Sequence, residues 1–182
     1  MNNPLPPEFA WLATVKTPEI LVQAVRLYGT RETPGPNNSA TIMAWAKEAL
    51  DKKGGAQDWY DADAKAWCGL FLAVCAKRAG FKPPEGFDAL RAKSWATWGN
   101  PISGNPGRGD VLIFDREGGG HVGLYVAEDK THFRVLGGNQ SDMVNITRID
   151  KNRLVAARRS PGITKAVQTF INTAGAISQN EA

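Results

Sequence analysis

The chain has 182 residues, a formal net charge of +4, and 42% hydrophobic against 22% charged residues. That length suits one domain with room for a substantial core, and the balance is that of an ordinary globular protein. No apolar run approaches the roughly 18 residues of a membrane span. The start, "MNNPLPPEFAWLATVKTPE", has neither the basic stretch nor the apolar run of a Sec signal.

Residues 1–16, with "NNPLPP", read as an irregular lead-in to a domain over 17–160. A first helix is expected in "TPEILVQAVRLYG", with Thr17 as cap, Pro18 at the first helical position and Gly29 at the exit. "TRETPGPNN" breaks it. A second helix fits "SATIMAWAKEALDKKGG", capped by Asn38 or Ser39 and ending near Gly54. "AQDWYDADAKAW" reads as a loop. The third helix starts near Trp67 or Cys68 and stops at Gly80, with Lys77 and Arg78 well placed in its last turn. "DALRAKSWATWG" is a short fourth helix.

After "NPISGNPGRG" the pattern becomes β-rich. "DVLIFD", "HVGLYVAED", "HFRVLGG", "MVNITRI" and "LVAARR" predict about five strands, several alternating apolar with polar as in an antiparallel sheet with one wet face. Helices first and strands second indicate an α+β fold with segregated layers. In the tail, 161–182, Ile163, Val167, Phe170, Ile171 and Ala174 recur at helical spacing and predict a terminal helix.

The two cysteines, Cys68 and Cys75, fall on one predicted helix. Seven residues of helix separate their Cα atoms by about 10 Å, beyond the roughly 7 Å a disulfide tolerates. Nor do sulfurs two turns apart readily share a zinc ion with His121 and His132. Cys75, among Leu72, Ala73, Val74 and Ala76, reads as core. Cys68 sits where the helix starts, and the positive end of that turn favours a thiolate. From position alone it is as much a buried core residue as a nucleophile. His121 opens a strand after "REGGG", whose glycines, Gly120 among them, leave room for a substrate backbone. His132 lies at a hairpin turn and reads as a surface residue. An imidazole base needs a polar group on its second nitrogen. "VLGGNQSD" offers Asn139, with Gln140 and Asp142 in reserve.

The order of Cys at a helix start, "GDVLIF", "GHVGLYV" and "GGNQSD" resembles the CHAP family of cysteine, histidine-dependent amidohydrolases/peptidases and its NlpC-type relatives. "LYGTRETPGPNN", "WCGLFLAVCAKRAG" and "SWATWG" extend the resemblance over residues 20–160, towards phage and prophage cell-wall hydrolases. The resemblance implies a papain-like fold and cleavage of an amide bond in peptidoglycan, either muramoyl–L-alanine or a stem-peptide bond. It implies Cys68 as nucleophile, His121 as general base and acid, and Asn139 as third residue, with no metal or organic cofactor. An exported antibacterial amidase of the same fold, or a non-catalytic wall-binding or virion module, are the alternatives.

Tyr60 is a candidate for the oxyanion or the cleft wall, and Trp67, beside Cys68, for substrate contact. Trp95 and Trp98 read as core, and Asp110 as a turn-fixing residue. Asp58, Asp61 and Asp63 are calcium-type ligands by chemistry, yet the stretch lacks the Gly and terminal Glu of an EF-hand loop, so a solvated acidic loop is the preferred reading. The partner expected is peptidoglycan. A net charge of +4 reads as a solvated face rather than a nucleic-acid surface. The protein is expected to be a monomer made in the cytoplasm without a Sec signal, acting on the wall after release.

Overall fold

The computed structural model describes residues 4–52 and 54–172. Its α-helices are α1 (Glu19–Arg26), α2 (Ala40–Ala49), α3 (Ala56–Trp59), α4 (Cys68–Arg78) and α5 (Phe87–Leu90). The strands follow: β1 (Asn100–Pro101), β2 (Val111–Arg116), β3 (Gly119–Glu128), β4 (His132–Gly137), β5 (Asn145–Asp150) and β6 (Leu154–Arg159). They form one antiparallel sheet in the order β1-β6-β2-β3-β4-β5. The fold is therefore α+β, with N-terminal helices packed on a C-terminal antiparallel sheet.

Helix α4 is the centre of the molecule. Every residue from Cys68 to Ala76 is buried, because α1, α2 and α5 enclose it on one side and β3 on the other. A helix apolar all round needs such enclosure. It ends where Gly80 takes φ +83°, and Arg78 in its last turn holds Glu48 of α2 through two hydrogen bonds of 2.8 and 2.7 Å. Across the sheet the period of two sorts the side chains. Val122, Leu124 and Val126 join the main core with the helices. Tyr125 joins Leu112, Phe114, Phe133, Val135 and Ile149 in a smaller cluster.

Several limits differ from expectation for local reasons. The lead-in contains a 3₁₀ helix, Pro7–Ala13, that buries Phe9 and Leu12. Pro18, not Thr17, stands at the N-cap of α1. Helix α2 stops well before Gly54, because the Gln57 amide donates to the carbonyls of Lys47 (3.0 Å) and Leu50 (3.1 Å) and so satisfies its end. The loop before Cys68 includes the single turn of α3. The predicted fourth helix breaks at Arg91, whose backbone is extended, giving α5 and a 3₁₀ helix over Ala92–Thr97. Asn100–Pro101 pairs with Arg158–Arg159 and adds a sixth strand.

The tail is not helical over residues 163–172. Of its apolar side chains Ile171 packs, partly buried, on the main core, whereas Val167 and Phe170 are exposed. Its backbone instead bonds to the body: Arg108 N donates to Val167 O (2.9 Å), Glu128 N to Thr169 O (2.8 Å) and Ile171 N to Glu128 O (2.9 Å). Ala174 lies outside the described residues.

Candidate active site

Cys68 is the first residue of α4. The first intrahelical amide is that of Phe71, which bonds Trp67 O at 2.9 Å. The earlier amides of the turn are left to other acceptors. Burial pushes the Cys68 thiol up; hydrogen bonds from the backbone of Val122, Gly69 and Cys68 itself, and the charge of Arg116, work the other way. Val122 follows His121 in β3, the strand against which α4 packs. Cys68 keeps 4% of its surface on a groove of about 570 Å³ walled by Trp59, Phe87 and Leu90 and floored by Gly119 and Gly120. Cys75 is fully buried and burial pushes its thiol up strongly.

His121 is fully buried behind Gly120. It pairs across the strands with Phe114, and the two rings stack with centroids 6.5 Å apart. Its Nε2 lies 3.0 Å from Gln140 Oε1. The Gln140 amide nitrogen donates to Asn145 Oδ1 (2.7 Å), Asn145 O (2.8 Å) and Val135 O (3.3 Å). Those acceptors fix which end of the amide faces the ring. The oxygen faces His121, so Nε2 carries the hydrogen and Nδ1 the basic lone pair.

Asn139, the expected orienter, does not occupy that position. It is buried, adopts φ +56°, and its Oδ1 has no hydrogen-bond partner among the described residues. With Ser141 and Asp142 also left-handed, the loop curls so that Gln140 returns to the imidazole. The two preceding glycines are required by space. A Cβ on Gly137 would meet Gln140 Oε1 at 2.8 Å and His121 Nε2 at 3.0 Å, and one on Gly138 would meet Phe71 and the Trp67 ring below 3.0 Å.

Of the residues expected to touch substrate, Gly120 lines the groove with Cys68. Trp67 does not: it is fully buried, packs on Trp45, and donates its indole N–H to Glu32 Oε1 at 2.6 Å. The small Gly138 opposite is what lets its large ring turn inward. Tyr60 is also buried and donates its hydroxyl to Lys65 O at 3.2 Å. It lies close enough to Cys68 that the two charges would interact, and burial raises its phenol well above the ordinary value. Trp95 and Trp98 are buried and donate to Ala89 O and Lys82 O.

The aspartates before Cys68 do not converge. Asp63 accepts from the amides of Thr33 (3.0 Å) and Ser39 (2.7 Å), and Asp61 pairs with Lys65 at 2.8 Å. Among the described residues no group of three or more acidic, His or Cys side chains is placed to hold a metal. Asp110 accepts from Gly107 N at 2.7 Å and from the Arg159 fork, fixing the turn into β2.

Two residues of this region escaped the sequence reading. Trp59 forms the groove wall edge-on to Phe87, with centroids 5.6 Å apart, under the Lys65 ammonium. Its place three residues into a short helix gave no periodicity to read. Glu32 had its signal in the "TRET" turn, which reads as a breaker before it reads as a partner for an indole.

No family model matches the chain, and no curated protein matches it in sequence. Among solved structures it is similar to the P60 domain of an antigen of M. avium paratuberculosis, at 15% identity and a TM-score of 0.45, over 78% of this chain and 90% of that one.

Proposed function

We propose that the protein is a cysteine hydrolase of papain-like type that cuts an amide bond of peptidoglycan, with Cys68 as nucleophile, His121 as base and acid, and Gln140 as the group that holds the imidazole. The observation that carries this reading is the position of Cys68. It heads a buried helix that packs on β3, the strand of His121, and it opens on a groove.

The chemistry follows from the groups present. Burial favours the neutral thiol, so attack requires a base. The Nδ1 lone pair of His121 takes the thiol proton as sulfur adds to the carbonyl carbon. The carbonyl oxygen becomes an oxyanion, stabilised by the N–H groups of the first α4 turn. The imidazolium, its Nε2–H held by Gln140, returns the proton to the leaving amine, and water then releases the thioester. The resemblance to CHAP and NlpC-type enzymes favours a phage-type endolysin working as a monomer on the wall after release from the cytoplasm.

The test is turbidity loss of a peptidoglycan suspension together with mass spectrometry of the released muropeptides. Wild type is expected to clear it, and Cys68→Ala and His121→Ala to leave it intact. Equal clearing by Cys68→Ala refutes the proposal.

A further inference from the structure

A second cleft lies where the lead-in and the tail meet the turn into β2. Two glycines let these segments close on the turn. An added Cβ on Gly109 would meet Pro18 Cγ at 2.9 Å, and one on Gly107 would meet the Ala166 carbonyl carbon at 2.7 Å. Arg108 stands between them and donates its backbone N–H to Val167 O at 2.9 Å. The cleft has a volume of about 260 Å³, and its charged lining is Lys16, Arg108 and Lys165, with no acidic side chain. The Arg108 guanidinium lies 5.6 Å over the Trp11 ring, and its Nε is buried without a hydrogen-bond partner among the described residues. The acids of the neighbouring elements are already engaged. Asp110 is held by the Arg159 fork, Glu128 by Tyr125, Gln168 and Lys151, and Glu19 accepts from Gln23 at 2.6 Å. Three positive charges thus share one cleft, and their mutual repulsion is relieved by an anion from outside.

We infer that this cleft and its rim dock on an anionic phospholipid bilayer, with a headgroup phosphate between Lys16, Arg108 and Lys165 and the apolar rim in the headgroup layer. Charge complementarity gives the sign of the partner. The rim gives its class. Of the five large apolar side chains exposed among the described residues, Val15, Val167 and Phe170 belong to the two segments that form the cleft. A soluble phosphate polymer leaves such side chains in water, whereas a bilayer interface buries them beside the cations. The contact is one of adsorption, since among the described residues no helix is long and apolar enough to cross a membrane.

The experiment is co-sedimentation of the full chain with vesicles of phosphatidylglycerol and phosphatidylcholine in equal parts, beside vesicles of phosphatidylcholine alone. Binding to the first and not to the second is expected, weakening as salt rises. Lys16→Gln/Lys165→Gln is expected to weaken it roughly thirtyfold, whereas Lys47→Gln/Lys82→Gln, which removes the same charge outside the cleft, keeps most of it. Val167→Ser/Phe170→Ser, which retains every cation, is expected to weaken it about tenfold. All six side chains are exposed, so thermal melts of these variants are expected to match wild type. Failure to bind the phosphatidylglycerol vesicles overturns the inference, and so does equal loss in the two lysine pairs. Binding of polyphosphate together with vesicle binding that Val167→Ser/Phe170→Ser leaves unchanged also overturns it, and marks a site for a soluble phosphate polymer. None of these measurements uses the Cys68 thiol, so their outcome is independent of peptidoglycan clearing.

Discussion

Gln140 presents its side-chain oxygen to His121 Nε2 at 3.0 Å while Asn145 holds its nitrogen from the other side. The imidazole is thereby fixed in one tautomer. Gln140→Ala is expected to lower kcat by about tenfold to a hundredfold with little change in KM. Gly137→Ala is expected to act alike, since its methyl group meets both partners. Asn139→Gly, which removes a left-handed strain of about 1 kcal/mol, is expected to keep most activity. Steady-state kinetics and the ¹⁵N shifts of His121 check all three. Greater damage from Asn139→Gly than from Gln140→Ala would reverse the assignment.

The two thiols differ in surroundings. Both are pushed up by burial, but Cys68 has amide donors, the Arg116 charge and an opening to the groove, while Cys75 has no exposed surface. Iodoacetamide is expected to label Cys68 alone in the folded protein, faster as pH rises, and Cys75 only on unfolding. Because the folded state keeps the Cys75 proton when the unfolded chain loses it, stability falls as pH rises above the ordinary thiol value near 8.5. Peptide mapping and thermal melts between neutral and alkaline pH test both.

Trp59 and Trp67 should separate binding from stability. Trp67 is fully buried and Trp59 is 48% exposed. Trp67→Ala is expected to cost about 3–5 kcal/mol of folding stability. Trp59→Ala is expected to leave the melting temperature within a few degrees and to raise KM. Denaturant titration beside kinetics distinguishes them.

Glu32 carries a pH dependence. Burial raises its pKa, and the charges of Asp142 and Asp63 add to that, against the Trp67 hydrogen bond. The folded state thus holds the proton at a pH where the unfolded chain has lost it, so this contribution is full below the ordinary carboxyl range and is lost as pH rises through the folded value. Glu32→Gln keeps an acceptor for the Trp67 N–H without the charge. Its melting temperature, relative to wild type, is expected to be higher at pH 7 than at pH 4. A constant difference across that range would refute the account.

The fold order and α4 were readable because they rest on local pattern: an apolar run from Leu70 to Ala76, a glycine exit at Gly80, and alternating strands. Residues whose roles depend on distant partners were harder. Asn139 and Gln140 are adjacent in "GGNQ", and only the left-handed curl at 139–142 decides which one meets His121. Trp67 looked available because it adjoins Cys68 in sequence, whereas consecutive residues at a helix start point in different directions. The tail showed helical spacing but buries Ile171 while leaving Val167 and Phe170 exposed, and backbone hydrogen bonds to Arg108 and Glu128 prevailed over that pattern.

That docking of the tail bears on how the chain can be cut and rejoined. Glu128, buried at the end of β3, takes hydrogen bonds from Tyr125 Oη and Gln168 Nε2, and Tyr125 Oη also bonds Thr169 O. Terminating at residue 160 strips partners from two interior groups, so a portable module built from this protein has to run through Ile171. A fused sequence belongs after that point, where it leaves the Glu128 anchor intact.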